Sequence, residues 1–163
     1  MNAIKIVPFE PAHALAITLR EADALDMAGR DMGEEAALFA AHPGITAMRR
    51  TGQEDEIIFC CGAVVDRGTA TLWGLTSPAC DTLPLLVTRT MRRLVNICEL
   101  NGCHRIQALA HVDNNRSRRW LRRFGGFRVE GLMRSCGPDK QDRYLLARIV
   151  GPDARACGAQ PRE

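Results

Sequence analysis

Residues 114–127 read NNRSRRWLRRFGGF and directly follow an apolar segment, CHRIQALAHV. Trp120, Leu121 and Phe124 recur within the stretch at helical spacing, and two Gly residues close it before an aromatic. Asn is a favoured residue at the start of a helix, and Gly is favoured at its end. The pattern therefore predicts a strand, a sharp corner at Asn114, a helix, and a return to extended chain at the aromatic.

A strand–helix–strand unit precedes this corner. TATLWGLT, at residues 69–76, is a β-type run, and SPACDTLP separates it from a strong amphipathic helix. The helix places one apolar face at Val87, Met91, Leu94, Val95 and Cys98. A strand–helix–strand connection is a right-handed parallel crossover, so the strands at 69–76 and 103–112 are predicted to be parallel neighbours. Ligands of such sheets bind at the carboxyl ends of the strands.

The remaining elements surround that pair. Ile4 to Pro8 reads as a strand, AHALAITLREADALDMAGR as one helix with Leu15, Leu19 and Ala22 on its apolar stripe, and GEEAALFAAH as a second helix. ITAMRR and EIIFCCGAVV precede TATLWGLT as a meander, and FRVEGLMRSC and DRYLLARIV form a final strand pair.

The predicted fold class is α/β (α+β). Its sheet is mixed and mostly antiparallel, with a central parallel strand pair and helices on both faces. We expect a single domain over residues 1–150 and a disordered tail at 151–163.

Composition narrows the class of protein. With 46% hydrophobic and 25% charged residues in 163, the chain is typical of a soluble globular protein, without a secretory signal or an apolar run of ~20 residues. Seven Cys without a C-x-x-C pair predict reduced, buried thiols and no metal site. The expected location is the cytoplasm, with no membrane partner.

The element order, together with residues 114–127, resembles the GCN5-related N-acetyltransferase (GNAT) superfamily. Five positions match the pattern of that family's last helix, with one extra Gly before the aromatic: Asn114, Ser117, Leu121, Gly125 and Phe127. The resemblance covers about residues 3 to 149. A narrower resemblance, in LREADALDM, LWGLTSP and RRWL, is to acetyltransferase-like proteins of tailed bacteriophages, some of which are virion components.

The resemblance implies an acyl-CoA-dependent N-acyltransferase. Such an enzyme moves an acetyl group from acetyl-CoA, its co-substrate, to an amine by direct attack, without a covalent enzyme intermediate. The pantetheine arm would lie between the splayed ends of the two parallel strands. The residues implied for cofactor binding are Trp73, Gly74, Leu75, Thr76, Arg89, Asn114 and Ser117. His111 is the first candidate for the catalytic base and Asp113 the second.

Two departures from the family pattern are visible. The Gly-rich loop that binds the CoA pyrophosphate is replaced by SPACDTLPLL, in which two prolines lack an amide proton. If Asp81 caps the following helix, its carboxylate takes the place of the phosphate; Arg89, Arg92 or Arg93 could compensate. The tyrosine that serves many members as general acid is also missing, since Leu121 or Arg122 takes that position and Tyr144 lies on the final strand.

Two alternatives to the enzyme stay open. One is a catalytically inactive structural or binding protein with the GNAT fold, such as a phage virion component. Such a protein would be located in the host cytoplasm or in the virion. The other is a nucleic-acid binder that uses the Arg residues of positions 116–123, but the net charge of +3 is low for that class and aromatic platforms are lacking. The expected partner is a small-molecule or protein amine, with no specific nucleic acid; a homodimer or virion proteins are left open.

Overall fold

A computed structural model describes residues 4–151 of the chain. The predicted tail lies outside the described residues from position 152 onward, and the prediction of one domain over 1–150 stays a prediction. The strands are β1 (Ile4–Pro8), β2 (Gly44–Thr51), β3 (Glu54–Asp66), β4 (Thr69–Thr76), β5 (Arg105–His111), β6 (Arg128–Met133) and β7 (Arg143–Ile149). The helices are α1 (Pro11–Ala16), α2 (Glu21–Asp26), α3 (Met32–Ala40), α4 (Pro84–Leu100) and α5 (Asn115–Phe124), with a 3₁₀ helix at Pro78–Thr82.

All seven strands form one sheet in the order β1-β2-β3-β4-β5-β7-β6. Strands β4 and β5 are parallel, and every other neighbouring pair is antiparallel. The predicted fold class, a mostly antiparallel sheet with a central parallel pair, is therefore confirmed.

Helices cover both faces of the sheet, also as predicted. Helices α4 and α5 pack on one face, where Val95 and Leu121 join the apolar side chains of β4, β5 and β7. Helices α1 and α3 pack on the other, where Ile17 and Phe39 surround Trp73 and Leu75 of β4. The parallel pair is thus enclosed on both sides, which is usual for parallel strands.

The prediction of one continuous first helix is wrong. It is broken between Ala16 and Glu21, and both Ile17 and Arg20 have extended backbone. The Arg20 N–H donates to the carbonyl of Thr76 at 2.9 Å, so this segment bonds to the end of β4 instead of continuing the helix. The predicted apolar stripe fails as a result: Leu15 is 63% exposed, whereas Ala14 and Ile17 are buried.

The end of α5 follows the prediction. Gly126 has φ +70°, and the Phe127 N–H donates back to the carbonyl of Leu121 at 3.2 Å. Such a left-handed residue after a helix favours glycine, because other side chains rarely adopt it. The turn buries Phe127 against the α4 and α5 face and starts β6 at once.

The packing of Trp73 requires a glycine on the neighbouring strand. Its ring stacks on Phe39, with centroids 4.2 Å apart, and lies over Gly62 of the neighbouring strand. A Cβ atom at Gly62 would lie 2.5 Å from Trp73 Cζ2 and 2.8 Å from the Pro43 carbonyl oxygen. The indole ring is packed in the core and the carbonyl belongs to the backbone, so neither neighbour can move easily to make room.

We predict that Gly62→Ala lowers the free energy of unfolding by about 2 kcal/mol, because overpacking a core displaces side chains and backbone. Gly131→Ala is the matched control, since a Cβ atom there meets nothing within 4 Å, and we expect a change within about 0.5 kcal/mol. Urea denaturation of both variants measures the difference. Equal stability of the two would contradict this account of Trp73 packing.

Candidate active site

The parallel pair separates soon after it begins. Strands β4 and β5 pair only at three positions, from Thr69 with Arg105 to Thr71 with Gln107. Beyond them β4 continues from 72 to 76 and β5 from 108 to 111 without pairing to each other. We call the space between these two unpaired segments the strand opening. It lies at the carboxyl ends of the parallel strands, where the sequence placed the site.

Helix α2 bridges the far end of the strand opening. On the β5 side, the carboxylate of Asp26 accepts the backbone N–H of His111 at 2.5 Å. On the β4 side, the Arg20 N–H immediately before α2 donates to the Thr76 carbonyl. Backbone groups that the separated strands leave unpaired are thereby satisfied by this helix, as buried polar groups must be.

Asn114 links the corner after β5 to the same helix. Its side-chain oxygen accepts the N–H of Ser117 at 3.0 Å, which is the predicted N-cap of α5. Its amide nitrogen donates to Asp26 at 2.6 Å and lies 3.4 Å from Asp23. Asn114 is fully buried, so these bonds lie away from solvent.

Asp23 gathers a second set of partners. Its carboxylate accepts hydrogen bonds from the hydroxyls of Thr76 and Ser117, and the guanidinium of Arg20 donates to it at 2.8 Å. Thr76 ends β4, whereas Ser117 lies in the first turn of α5. Asp23 therefore ties together the two segments that frame the strand opening.

The two carboxylates differ in their electrostatic surroundings. Arg20 supplies Asp23 with a cation, whereas burial raises the pKa of Asp26 above its ordinary value, against the opposing effect of the bonds from His111 and Asn114. Desolvation disfavours the charged form of a carboxyl and so makes its anion a stronger base. Asp26 is thus a carboxylate of raised pKa beside the strand opening.

His111, the first predicted base, is 4% exposed. Its Nδ1 accepts the backbone N–H of Asp113 at 3.1 Å, so the neutral ring carries its proton on Nε2. The carboxylate of Asp113 is largely exposed and lies 3.9 Å from the same nitrogen. Nδ1 of His111 is therefore already engaged as an acceptor.

The start of α4 lacks a phosphate loop, as the sequence indicated. Its first residue is Pro84, and the next bonded amides, of Leu86 and Val87, both donate to the Leu83 carbonyl. The conditional prediction that Asp81 caps this helix is wrong, because the N-cap is Leu83 and makes no side-chain bond. Asp81 lies in the 3₁₀ helix that precedes α4.

Asp81 instead bonds to two arginines. Its Oδ1 lies 2.5 Å from Arg116 of α5 and 3.1 Å from Arg20. The hydrogen bond from Arg116 is the main reason that the pKa of Asp81 lies below its ordinary value. This triad joins the segment after β4 to the helix after β5.

The structure brings together four of the nine residues predicted for the site. The side chains of Asn114, Ser117 and Thr76 bond to the carboxylates of Asp23 or Asp26. His111 bonds to the Asp26 carboxylate through its backbone N–H.

The other five lie apart from that network. The side chains of Trp73 and Leu75 belong to the core beneath α1 and α3, and Gly74 is exposed on the opposite face. Arg89 is exposed in α4, and the carboxylate of Asp113 lies near His111, outside that network.

Sequence reasoning missed Asp23 and Asp26. Both lie in the stretch AHALAITLREADALDMAGR, which was predicted as one amphipathic helix, and neither was singled out for the site. The available signal was their spacing of three residues, which puts both carboxylates on one face of the helix. That face also carries Ala22 and Met27, next to the apolar stripe. An acidic pair beside an apolar stripe indicates buried carboxylates with partners.

Five of the six thiols in the described residues are buried, as predicted, whereas Cys136 is half-buried. Burial raises the pKa of Cys60 to about 11 and that of Cys61 to about 12. Residues 4–151 contain no cluster of His, Cys, Asp and Glu that could hold a metal ion. Over the same residues, no helix is long and apolar enough to cross a bilayer.

Comparison with known proteins identifies the fold. No family model and no curated protein sequence matches the chain. Solved structures do match, among them a GNAT superfamily phosphinothricin acetyltransferase from Sinorhizobium meliloti in complex with acetyl-CoA, with 19% identity, a TM-score of 0.65, and 98% of this chain and 94% of that one covered. Ard1 from Thermoplasma volcanium matches with 12% identity, a TM-score of 0.67, and coverage of 91% and 98%. A GNAT-family acetyltransferase from Bacillus anthracis matches with 16% identity, a TM-score of 0.64, and coverage of 91% and 96%.

The chain therefore has the fold of the GNAT-family acetyltransferases, and the resemblance drawn from its sequence is confirmed at that level. The matches span nearly the whole of each chain, so the strand opening falls within the shared fold. The bacteriophage origin and the virion alternative gain no support from these similarities.

We predict that Asn114→Ala lowers the free energy of unfolding by about 3 kcal/mol. The substitution removes a helix cap, worth about 1 kcal/mol, and also removes the donor to Oδ2 of the half-buried Asp26, which keeps only the His111 N–H; this costs about 2 kcal/mol more. Asp31→Ala is the matched control, because Asp31 caps α3 through the Glu34 N–H but is exposed. We expect it to lose about 1 kcal/mol. Equal losses in chemical denaturation would show that Asn114 acts as a cap alone.

Proposed function

We propose that the protein is an acyl-CoA-dependent N-acyltransferase that transfers an acetyl group from acetyl-CoA to an amine. The observation that carries the proposal is the strand opening, since β4 and β5 separate after three paired positions within a GNAT fold. A narrow gap between parallel strands suits an extended arm that bonds to backbone like an added strand. The acyl group at the end of that arm would then lie near the bridge formed by α2.

The β4 edge of the opening fits such an arm. Segment 72–76 is bonded to β3 on its other edge, so its free edge is held in an extended conformation. Gly74 leaves room beside the backbone, because a Cβ atom there would meet only the Cys60 carbonyl oxygen at 3.9 Å. Trp73 and Leu75 contribute through their backbone, while their side chains anchor β4 in the core. A backbone N–H near Gly74 or Leu75 is our candidate for stabilising the oxyanion.

For the proton of the attacking amine, we propose Asp26 as the acceptor ahead of the two candidates from sequence. Its carboxylate borders the opening through the His111 N–H, and its raised pKa favours proton uptake. His111, with Nδ1 engaged, would orient the acceptor through Nε2. Asp113 is more exposed and lies further along the corner.

Departure of the thiolate does not require a side chain. Tyr144 is the chain's single tyrosine, and its ring lies under the Arg118 guanidinium at 4.5 Å on the last strand. A thiol leaving group is stable enough as an anion to take its proton from water. The reaction forms the amide bond, breaks the thioester bond and releases CoA, with the amine proton passing to Asp26.

Binding is tested by calorimetric titration with acetyl-CoA. We expect micromolar affinity for the wild type and at least a tenfold loss for Gly74→Val, whose side chain would project from β4 beside the opening, where glycine leaves space. The variant should fold normally, because the space beside Gly74 is open; its thermal midpoint is the control. Absence of binding at millimolar acetyl-CoA would contradict the proposed function.

The role of Asp26 is tested by transfer to a panel of amino acids, polyamines and peptide N-termini, followed by mass detection of acetylated product. Asp26→Asn should lower kcat about a hundredfold, since general base catalysis contributes 10²- to 10⁴-fold. Because the base must be deprotonated, wild-type activity should fall as pH drops through the raised pKa of Asp26, and this acidic limb should disappear in the variant.

His111→Gln is the matched comparison, since glutamine can still accept the Asp113 N–H. We expect it to retain more than a tenth of the wild-type kcat together with the acidic limb. A larger loss in His111→Gln than in Asp26→Asn would return the role of base to His111.

A further inference from the structure

Helices α4 and α5 concentrate the positive charge of the chain. Together they contain eight Arg and one acidic residue, Glu99, and so carry a formal charge of +7. Since the whole chain carries only +3, the remaining residues carry −4. The low net charge that counts against a nucleic-acid partner in the sequence is therefore an average over two parts of opposite sign. Such charge asymmetry is typical of proteins that bind a polyanion.

The fold places the arginines of the two helices side by side. Both helices pack on the same face of the sheet, and the Nε1–H of Trp120 donates to the Thr88 hydroxyl at 3.1 Å. Arg89 follows Thr88 in α4, and Arg119 precedes Trp120 in α5. From each of these two arginines, further arginines recur at i+3 and i+4 on the same side of the helix. We call this surface the basic face; its six exposed arginines are Arg89, Arg92, Arg93, Arg119, Arg122 and Arg123.

The acidic residues beside the two helices have partners outside the basic face. Asp81 bonds to two arginines that are not part of it, and Glu99 pairs with Arg148 of β7 at 2.7 Å. Within residues 4–151, no carboxylate forms an ion pair with Arg93, Arg119 or Arg122. The positive potential of the basic face therefore acts on anions in solution.

The composition of the basic face favours a nucleic acid over a membrane or a protein. A helix that lies on a membrane inserts its apolar side chains, but Leu121 of α5 is 7% exposed and packs in the core beside Trp120. Protein–protein interfaces are depleted of charge at their centre and use apolar or aromatic anchors. Interfaces with DNA are more polar and much more positive, and guanidinium groups match phosphates with paired N–H···O bonds.

We propose that the basic face binds the phosphate backbone of a nucleic-acid duplex, without sequence preference. This is a second function, on the outer side of α4 and α5, and it does not depend on the acyl transfer proposed above. A duplex carries one negative charge per about 1.7 Å of its axis, so it presents phosphates to both helices at once. Contacts to phosphate position a duplex but carry no sequence information.

The test is fluorescence anisotropy of a short labelled DNA duplex of mixed sequence, titrated with the protein at several salt concentrations. We expect a Kd of about 10⁻⁴ to 10⁻⁶ M at physiological salt, the usual range for non-specific binding. Each phosphate contact contributes about −0.9 to the slope of log K against log[salt], so six arginines predict a slope of about −5. The triple variant Arg93→Ala/Arg119→Ala/Arg122→Ala should bind at least tenfold more weakly, with a slope smaller in magnitude by about 2 to 3.

The matched control removes three exposed positive charges outside the two helices, in Lys5→Ala/Arg50→Ala/Arg134→Ala. Both triple variants have the same net charge, so their comparison separates the basic face from the overall charge. The control should keep its Kd within about threefold of the wild type, because salt screens charges that lie beyond a Debye length of about 10 Å. Thermal midpoints of both variants verify that they fold.

Three results would overturn the inference. One is equal loss of binding in the two triple variants, and another is absence of duplex binding at low salt. The third is competition by polyglutamate or by phosphatidylserine vesicles that matches competition by unlabelled duplex at equal charge concentration, because these probes represent an acidic protein and a membrane. The titration with acetyl-CoA tests the proposed acyl transfer separately.

Discussion

The structure depends on how the backbone groups of two separating strands are satisfied. Strands β4 and β5 stop pairing after Thr71 and Gln107, and each unpaired N–H or carbonyl buried beyond that point needs another partner. Asp26 accepts the His111 N–H, and the Arg20 N–H donates to the Thr76 carbonyl. Helix α2 and the residue before it therefore supply hydrogen bonds that a longer parallel ladder would have supplied, while a gap remains between the strands.

The same bonds explain why the first helical segment is broken and why Asp23 and Asp26 are turned away from solvent. Arg20 has to be extended to reach Thr76, so α1 ends at Ala16 and α2 starts at Glu21. The two turns of α2 then direct Asp23 and Asp26 at the ends of β4, β5 and α5. Burial of two carboxylates is unfavourable without donors, and Asn114 and Thr76 are among the groups that supply them.

The sequence predicted the fold well because most of its signals are local. Spacing within a few residues predicts the apolar face of α4, the Asn114 cap and the glycine at the end of α5. The right-handed crossover rule then predicts that β4 and β5 are parallel. The site was predicted less completely. His111, Asn114, Ser117 and Thr76 meet as a group, but through Asp23 and Asp26, which lie 53 to 94 residues away in the chain and were not singled out in the sequence. Contacts at such sequence separation are set by tertiary packing, which periodicity does not encode.

The central claim is that the gap between β4 and β5 receives the arm of an acyl-CoA. A crystal structure of the protein grown with millimolar acetyl-CoA tests it most directly. The account predicts density for an extended arm along positions 72–76 of β4, with the acyl group beside Asp26. Density for the ligand elsewhere, or strands β4 and β5 paired up to Thr76 and His111, would contradict it.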